Sequence, residues 1–212
     1  MTSALVPVKS LAVGKTRLAS ALPPGEREAL SIYMLQKVWE ALLQSGVFDW
    51  VGVVTADRRV EALARERKVH TIREDVQISE NRSIAYGSRI CRERGDRSLL
   101  IIHADLPLVK TEEIEAIVSR GGPEPKVVIC PSKEGTGTNA LYRTPPEIIP
   151  ACFGPGSFSR HLAEAEARQI PWESRFLPGI SLDIDTPEDL RILGPWPGAK
   201  SFPSGMKGSM DI

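Results

Sequence analysis

Short apolar runs alternate with stretches of helical period through the first 120 residues. Residues 4–8, 50–55, 69–72 and 98–102 read as strands. In Ser98-Leu99-Leu100-Ile101-Ile102 the apolar positions are consecutive, as in a central strand covered on both faces. Between the runs, Leu30, Met34, Val38 and Leu42 recur every four residues and Gly46 supplies a stop. A long helix is therefore predicted after Pro23-Pro24-Gly25. Further helices are predicted at about 58–68 and 83–94 and from Thr111, where Glu112 and Glu113 complement the positive end of the dipole. Strand and helix alternating this closely make a parallel sheet with right-handed crossovers.

The second half changes rhythm. Residues 127–130, 140–143 and 180–184 read as strands and 157–167 as a helix. Thr186-Pro187-Glu188-Asp189 is a helix start, with a Thr cap, Pro at the first position and acids behind it. From Gly194 the chain is rich in Pro, Gly and Ser with little apolar periodicity. The expectation is a single α/β domain over residues 1–193, with a mostly parallel central sheet and helices on both faces, and a disordered or loosely docked tail over 194–212. Neither an internal repeat nor a second domain is expected.

Composition narrows the function classes. Lys+Arg and Asp+Glu are equal at 27 each, so no global field favours nucleic acid or an anionic membrane. The basic clusters near residues 58–59, 65–68 and 89–97 fall in predicted helices and read as solvated faces. Three cysteines, Cys91, Cys130 and Cys152, lack CxxC spacing, which argues against a disulfide framework or zinc site and for a reducing compartment. With no signal peptide or membrane span in evidence, a cytoplasmic protein is expected.

The candidate chemistry sits at strand ends. Asp105, in His103-Ala104-Asp105-Leu106-Pro107, follows the central strand, where open α/β sheets bind ligands. Asp183 and Asp185 are two residues apart on a predicted strand, so both carboxylates point the same way. Three such acids suit one metal site, Mg²⁺ being usually held by one or two carboxylates plus substrate phosphates. In the plainer alternative, Asp185 only helps cap the next helix and Asp183 is a solvated edge residue. Gly14-Lys15-Thr16 suggests a P-loop, but the glycine needed five residues earlier is Lys9. A looser reading has Lys9, Lys15 and Arg17 meeting a triphosphate on a strand-to-helix connection; an ordinary basic loop is equally consistent. Gly135-Thr136-Gly137-Thr138-Asn139 and Gly154-Pro155-Gly156-Ser157 are small-residue loops, the second opening a helix whose amides could face an anion. Turn chemistry with an N-cap serine accounts for them as well. His70, His103 and His161 are scattered without metal-ligand spacing, and no Gly-x-Ser-x-Gly elbow is present.

Taken in order, these motifs resemble one family. Val6-Pro7-Val8-Lys9, Lys15-x-Arg17-Leu18, Ala104-Asp105-Leu106-Pro107-Leu108, the Gly135–Asn139 loop with Ala140-Leu141, Phe153-Gly154-Pro155-Gly156-Ser157, and Leu182-Asp183-Ile184-Asp185-Thr186-Pro187-Glu188-Asp189-Leu190 are similar to those of the guanylyltransferases of coenzyme F420 biosynthesis. The resemblance implies a Rossmann-like nucleotidyltransferase fold that joins GTP to a phosphorylated three-carbon acid, 2-phospho-L-lactate, phosphoenolpyruvate or 3-phosphoglycerate, with release of pyrophosphate. It places Mg²⁺ on Asp105, Asp183 and Asp185, and the phospho-acid on Thr138, Gly154 and Ser157. Lys9, Lys15, Arg17 and Asn81 would meet the nucleotide, with Asp105, Lys15 and Arg17 catalytic. The family usually shows Gly-Leu-Asn where this chain has Ser79-Glu80-Asn81. Homodimers are common in such families. Two alternatives stay open: a cytidylyl- or molybdopterin-type nucleotidyltransferase, and a catalytically silent nucleotide-binding protein.

Overall fold

In the computed structural model, which describes residues 1–11, 14–121 and 124–197, the apolar runs pair into one sheet. Its strands are β1 (Thr2–Pro7), β2 (Trp50–Thr55), β3 (His70–Arg73), β4 (Ser98–Ile102), β5 (Lys126–Pro131), β6 (Thr138–Thr144) and β7 (Trp172–Ser174). They lie in the order β3-β2-β1-β4-β6-β5-β7. All neighbouring pairs are parallel except those of β6, which is antiparallel to both β4 and β5. The helices are α1 (Pro24–Gln44), α2 (Arg58–Glu66), α3 (Glu80–Glu93), α4 (Thr111–Gly121), α5 (Ser157–Ala167), α6 (Pro178–Ser181) and α7 (Pro187–Leu193). None of the described helices is long and apolar enough to cross a membrane.

Period-2 alternation sends side chains of the central strands to opposite faces. Ala4 and Val6 of β1 pack with Leu35, Val38 and Trp39 of α1, Val60 of α2 and Ile114 of α4. Leu5, between them, packs with Ile84 of α3 and Ala165 of α5 on the other face. Leu99, Leu100, Ile101 and Ile102 of β4 are all fully buried, which accounts for the consecutive apolar positions in that strand. The expected three-layer arrangement is therefore present.

One strand expectation is corrected, and one strand has no counterpart in the sequence pattern. Residues 180–184 are not a strand: Pro178 opens the one-turn helix α6, and residues 182–185 run on without joining the sheet. The sheet offers them no place, because β4 is already paired on both sides, to β1 and β6. The segment docks instead through its side chains, Ile180 against one core face and Leu182 and Ile184 against α1. The seventh strand is β7, three residues whose outer positions are exposed, too short and too polar for periodicity to reveal. At the far end, Trp196 is 4% exposed and packs with Leu182, Ile184 and Leu190. The start of the expected tail is thus docked through Trp196, and residues 198–212 lie outside the described part.

Gly179 fixes how α6 approaches α4. A Cβ there would collide with the carbonyl oxygen of Leu108 and the carboxylate of Glu113, which accepts the Gly179 amide at 2.8 Å. Gly179→Ala should cost about 1–3 kcal/mol by overpacking. The cost is to be read as a lowered urea midpoint at unchanged m-value; a midpoint equal to wild type would show that the backbone gives way freely.

Candidate active site

The strand order reverses between β1 and β4, since β1 is followed by its neighbour on one side and β4 continues on the other. Ligands of open α/β sheets bind at the carboxyl ends of the strands at such a reversal. A cleft of about 540 Å³ opens there, bounded by the β1 loop (Val8, Lys9, Lys15), the β4 loop (His103, Asp105) and the small-residue loops around Thr138 and Gly154. Asp105, Asp183, Asp185, Lys9, Lys15, Arg17, Thr138, Gly154 and Ser157 all line it, so nine of the ten positions singled out in the sequence meet in one place. The exception is Asn81. Its amide is spent on the backbone of Phe153, donating to the carbonyl at 3.1 Å and accepting the amide at 2.8 Å. It braces the Phe153-Gly154 loop and does not line the cleft.

The acids converge. Asp105, Asp183 and Asp185 each place one carboxylate oxygen within 4.8 Å of the others. Asp105 is set by the end of β4. Asp183 and Asp185 reach it because the amide of Ile184 donates to the Asp105 carbonyl at 3.1 Å, leaving the residues on either side to point into the cleft. Asn139 Nδ2 reaches the carbonyl oxygens of Ile180 and Ser181 at 3.0 and 3.2 Å and Asp183 Oδ1 at 3.1 Å. The segment is thereby tied to the start of β6. Nothing in the sequence pattern singled Asn139 out for that task, because its partners are over 40 positions away.

Lys15 supplies the counter-charge. Its ammonium donates to Asp105 Oδ2 at 2.6 Å and Asp185 Oδ1 at 2.7 Å, and its side chain is only 9% exposed. Arg17, much more open, lies 3.6 Å from Asp185 Oδ2. Burial would raise the Asp105 carboxyl, but the charges of Lys15 and His103 hold it below the usual range. Burial likewise works against the Lys15 ammonium, and the two aspartates outweigh it and raise its pKa. Asp183 has no such cation among the described residues; burial, then the Asp105 charge, raises its pKa. Asp105 Oδ1 is buried and has no hydrogen-bond partner among the described residues. Three hard oxygen donors, one of them unsatisfied, fit a divalent cation of the Mg²⁺ type.

Facing the acids is a loop pair that small residues make possible. Gly154 and Gly156 have φ of 106° and 69°, a region costly for other residues. Gly156, not Ser157, caps α5. The amides of Ser157 and Phe158 already donate to Gly154 and to Thr136, so the end of α5 offers fewer free amides than the sequence suggested. Below the loops His161 is fully buried. Its Nε2 accepts the Cys152 amide at 2.9 Å, so Nδ1 carries the proton and donates to Thr138 Oγ1 at 3.0 Å. Thr138 is left with its own hydroxyl proton to donate into the cleft. The scattered histidines carried no visible signal of this, since the partners are 23 positions apart in the chain.

This arrangement, a parallel α/β sheet with an acid cluster at its reversal, has the fold of the nucleotidyltransferases. A putative nucleotide-diphospho-sugar transferase from Desulfovibrio desulfuricans superposes with a TM-score of 0.72 at 13% identity, over 91% of this chain and 85% of that one. A nucleotidyl transferase from Methanothermobacter thermautotroptrophicus gives 0.67 at 20%, over 91% and 95%. Residues 2–194 match the family described as guanylyl transferase CofC like, and the chain belongs to that family of guanylyltransferases. It is 39% identical to a phosphoenolpyruvate guanylyltransferase of Sphaerobacter thermophilus, over 96% of this chain and 99% of the relative. A second phosphoenolpyruvate guanylyltransferase, from Rubrobacter xylanophilus, is 37% identical over 90% and 92%. A 3-phospho-D-glycerate guanylyltransferase of Colwellia psychrerythraea is 30% identical over 91% and 90%.

The His161 arrangement predicts a pH signature. Burial, with Arg143 and Arg160 nearby, depresses its pKa from 6.5 to about 3. Unfolding then takes up a proton at any pH between those values, so this contribution to stability is complete above pH 6.5 and is lost as pH falls toward 3. His161→Gln keeps a donor and an acceptor but cannot ionise. Its unfolding free energy should decline less than that of wild type between pH 6.5 and 4, by urea titration. Parallel declines would refute the assignment.

Proposed function

We propose that the chain transfers GMP from GTP to a phosphorylated three-carbon acid, releasing pyrophosphate, in coenzyme F420 biosynthesis. The convergence of Asp105, Asp183 and Asp185 with Lys15 at the reversal of the sheet, opposite the Thr138 and Gly154 loops, carries this reading. Phosphoenolpyruvate is the favoured acceptor, on the names of the relatives at 39% and 37% identity. The 3-phosphoglycerate reading is kept because a relative at 30% bears that name; 2-phospho-L-lactate is the third acid to compare.

The reaction joins two polyanions. A phosphate oxygen of the acid attacks the α-phosphorus of GTP, a P–O bond forms, and the bond to the β-phosphate oxygen breaks to release pyrophosphate. That attacking oxygen is already anionic at neutral pH, so no general base is required. The barrier lies mainly in charge repulsion, which placed cations reduce. Mg²⁺ held by Asp105, Asp183 and Asp185 would neutralise phosphate charge and orient the oxygens. Lys15 and Arg17, flanking Asp185, would stabilise the charge on the leaving pyrophosphate, and Lys9 would meet the triphosphate at the mouth of the cleft. Thr138, Gly154 and Ser157 would seat the acid, with His161 holding the Thr138 hydroxyl as a donor.

Asp105→Asn should lower Mg²⁺-dependent pyrophosphate release by at least about 10²–10³-fold while the unfolding midpoint shows a retained fold. Near-normal release would rule out Asp105 as a reacting-site ligand. The same assay on wild type, with GTP against CTP and the three acids in parallel, should show GTP and phosphoenolpyruvate as the best pair. Turnover with CTP instead would point to a cytidylyltransferase.

A further inference from the structure

The loop that leaves β1 is anchored at one point, and a residue outside the cleft holds that point. The amide of Val8 still pairs with the carbonyl of Val54 at 3.0 Å, and there the chain turns out of the sheet. From Lys9 to Arg17, Leu11 alone is buried among the described residues. Its side chain enters the core shared with Leu35 of α1 and Val60 of α2. Its amide donates to Asp57 Oδ2 at 3.0 Å. Lys15, further along, has ion pairs of its own with Asp105 and Asp185. Lys9, just ahead of Leu11, is exposed and makes no ion pair among the described residues. A lysine carries its charge on a flexible four-carbon stem, so where Lys9 can deliver that charge depends on the Leu11 anchor.

Asp57 is itself held on two sides. Thr55, the fully buried last residue of β2, accepts the Asp57 amide on Oγ1 at 3.0 Å. Asp57 then caps α2, with Oδ1 accepting the amide of Arg59 at 2.8 Å. Each carboxylate oxygen therefore has its own amide, one closing the first turn of α2 and the other holding the β1 loop. Capping alone requires a single acceptor, which serine or asparagine supplies as well. The second acceptor is what a carboxylate adds, since asparagine has one oxygen and a donor in place of the other. We propose that Asp57, which does not line the cleft, is a positioning residue for GTP, fixing Lys9 toward the triphosphate through the Leu11 amide. This rests on the reading of Lys9 as a triphosphate contact. Without Asp57 the loop keeps its charge and loses the placement of that charge. The loss falls on the nucleotide and leaves the acid, seated by the Thr138 and Gly154 loops, unaffected.

The test is a thermodynamic cycle on the full chain, read as the affinity for GTP with Mg²⁺ by titration calorimetry in the absence of the acid. Asp57→Ser keeps a cap for α2 but has no second oxygen for Leu11. Where that variant does not fold, by its urea transition, Asp57→Asn takes its place, because it too has one acceptor for two amides. Lys9→Ala and Asp57→Ser should each weaken GTP binding about tenfold, the worth of one charge-assisted contact. The double variant should bind no more weakly than Lys9→Ala alone, since the two changes remove one and the same contact. Independent effects would multiply to about a hundredfold, and that result would overturn the proposal. In pyrophosphate release, Asp57→Ser should raise KM for GTP and leave KM for phosphoenolpyruvate as in wild type; an equal rise in both would reveal a general distortion and overturn it as well. A loss of GTP affinity in Lys9→Ala but none in Asp57→Ser would overturn this inference alone. Unchanged affinity in Lys9→Ala would overturn the triphosphate reading of Lys9 and the inference with it, and a wild type that binds no GTP would overturn the proposed function.

Discussion

Three carboxylates held within 4.8 Å of one another are the constraint on which the rest of this site depends. Like charges at that range disfavour ionisation unless cations or hydrogen bonds compensate. Here compensation is divided unequally. Lys15 bridges Asp105 and Asp185, while Asp183 has an Asn139 amide and keeps a raised pKa. The ammonium carries one positive charge against three potential negatives, and Arg17 is too exposed to add much. The cluster is thus left with excess negative charge toward the cleft, the condition in which a divalent cation is most strongly favoured. Lys15 reaches this position from a left-handed backbone conformation, φ 57° and ψ 40°. Such a conformation costs a lysine about 1–2 kcal/mol and persists where the surroundings over-determine it. Two short ion-pair hydrogen bonds are surroundings of that kind.

The topology explains why those particular loops meet. Strands β1 and β4 are neighbours in the sheet although 90 residues separate Lys15 from Asp105. The crossover through β2, β3 and α3 brings the chain back to the other side of β1. The loops leaving β1 and β4 then diverge to opposite sides, and the gap between them is the cleft. The antiparallel strand β6 completes it. Because β6 runs against β4, its beginning lies at the end of β4, with the amide of His103 donating to Asn139. Thr138 and Asn139 therefore arrive beside Asp105 through strand direction rather than through any local motif.

This separates what the sequence could disclose from what it could not. Apolar runs, the period of α1 and the Thr186-Pro187 start all report on local backbone preference, and they were legible. The capping box at Thr186 and Asp189 is present. Asp105, Asp183 and Asp185 were legible because strand ends and i, i+2 spacing imply direction. The residues 180–184 misled for the same reason: alternating apolar positions look alike whether a segment joins a sheet or only lies on a core. Only the count of free strand edges decides, and that is a property of the whole sheet. Asn81 was read from a motif position, yet its amide is consumed by Phe153, a partner 72 residues away. His161 was passed over because a buried histidine has no spacing rule.

What Asn81, His161 and Asn139 share is the support of loops that have no regular structure. Asn81 grips Phe153, His161 grips Cys152 and Thr138, and Asn139 grips the 180–183 segment. Each uses both ends of a short polar side chain, or several contacts of one amide, and two of the three are nearly or fully buried. A buried amide or imidazole left unpaired costs about 1–3 kcal/mol, so each bond made here also penalises any other position of the loop it holds. Glycines at 154 and 156 give the loop its shape but add freedom to the unfolded chain. The polar anchors remove that freedom in the folded state. A site that must bring two anions to one atom depends on such fixed placement. The acids and lysine of the cleft can be few because the amides and the histidine beneath them leave them little room to move.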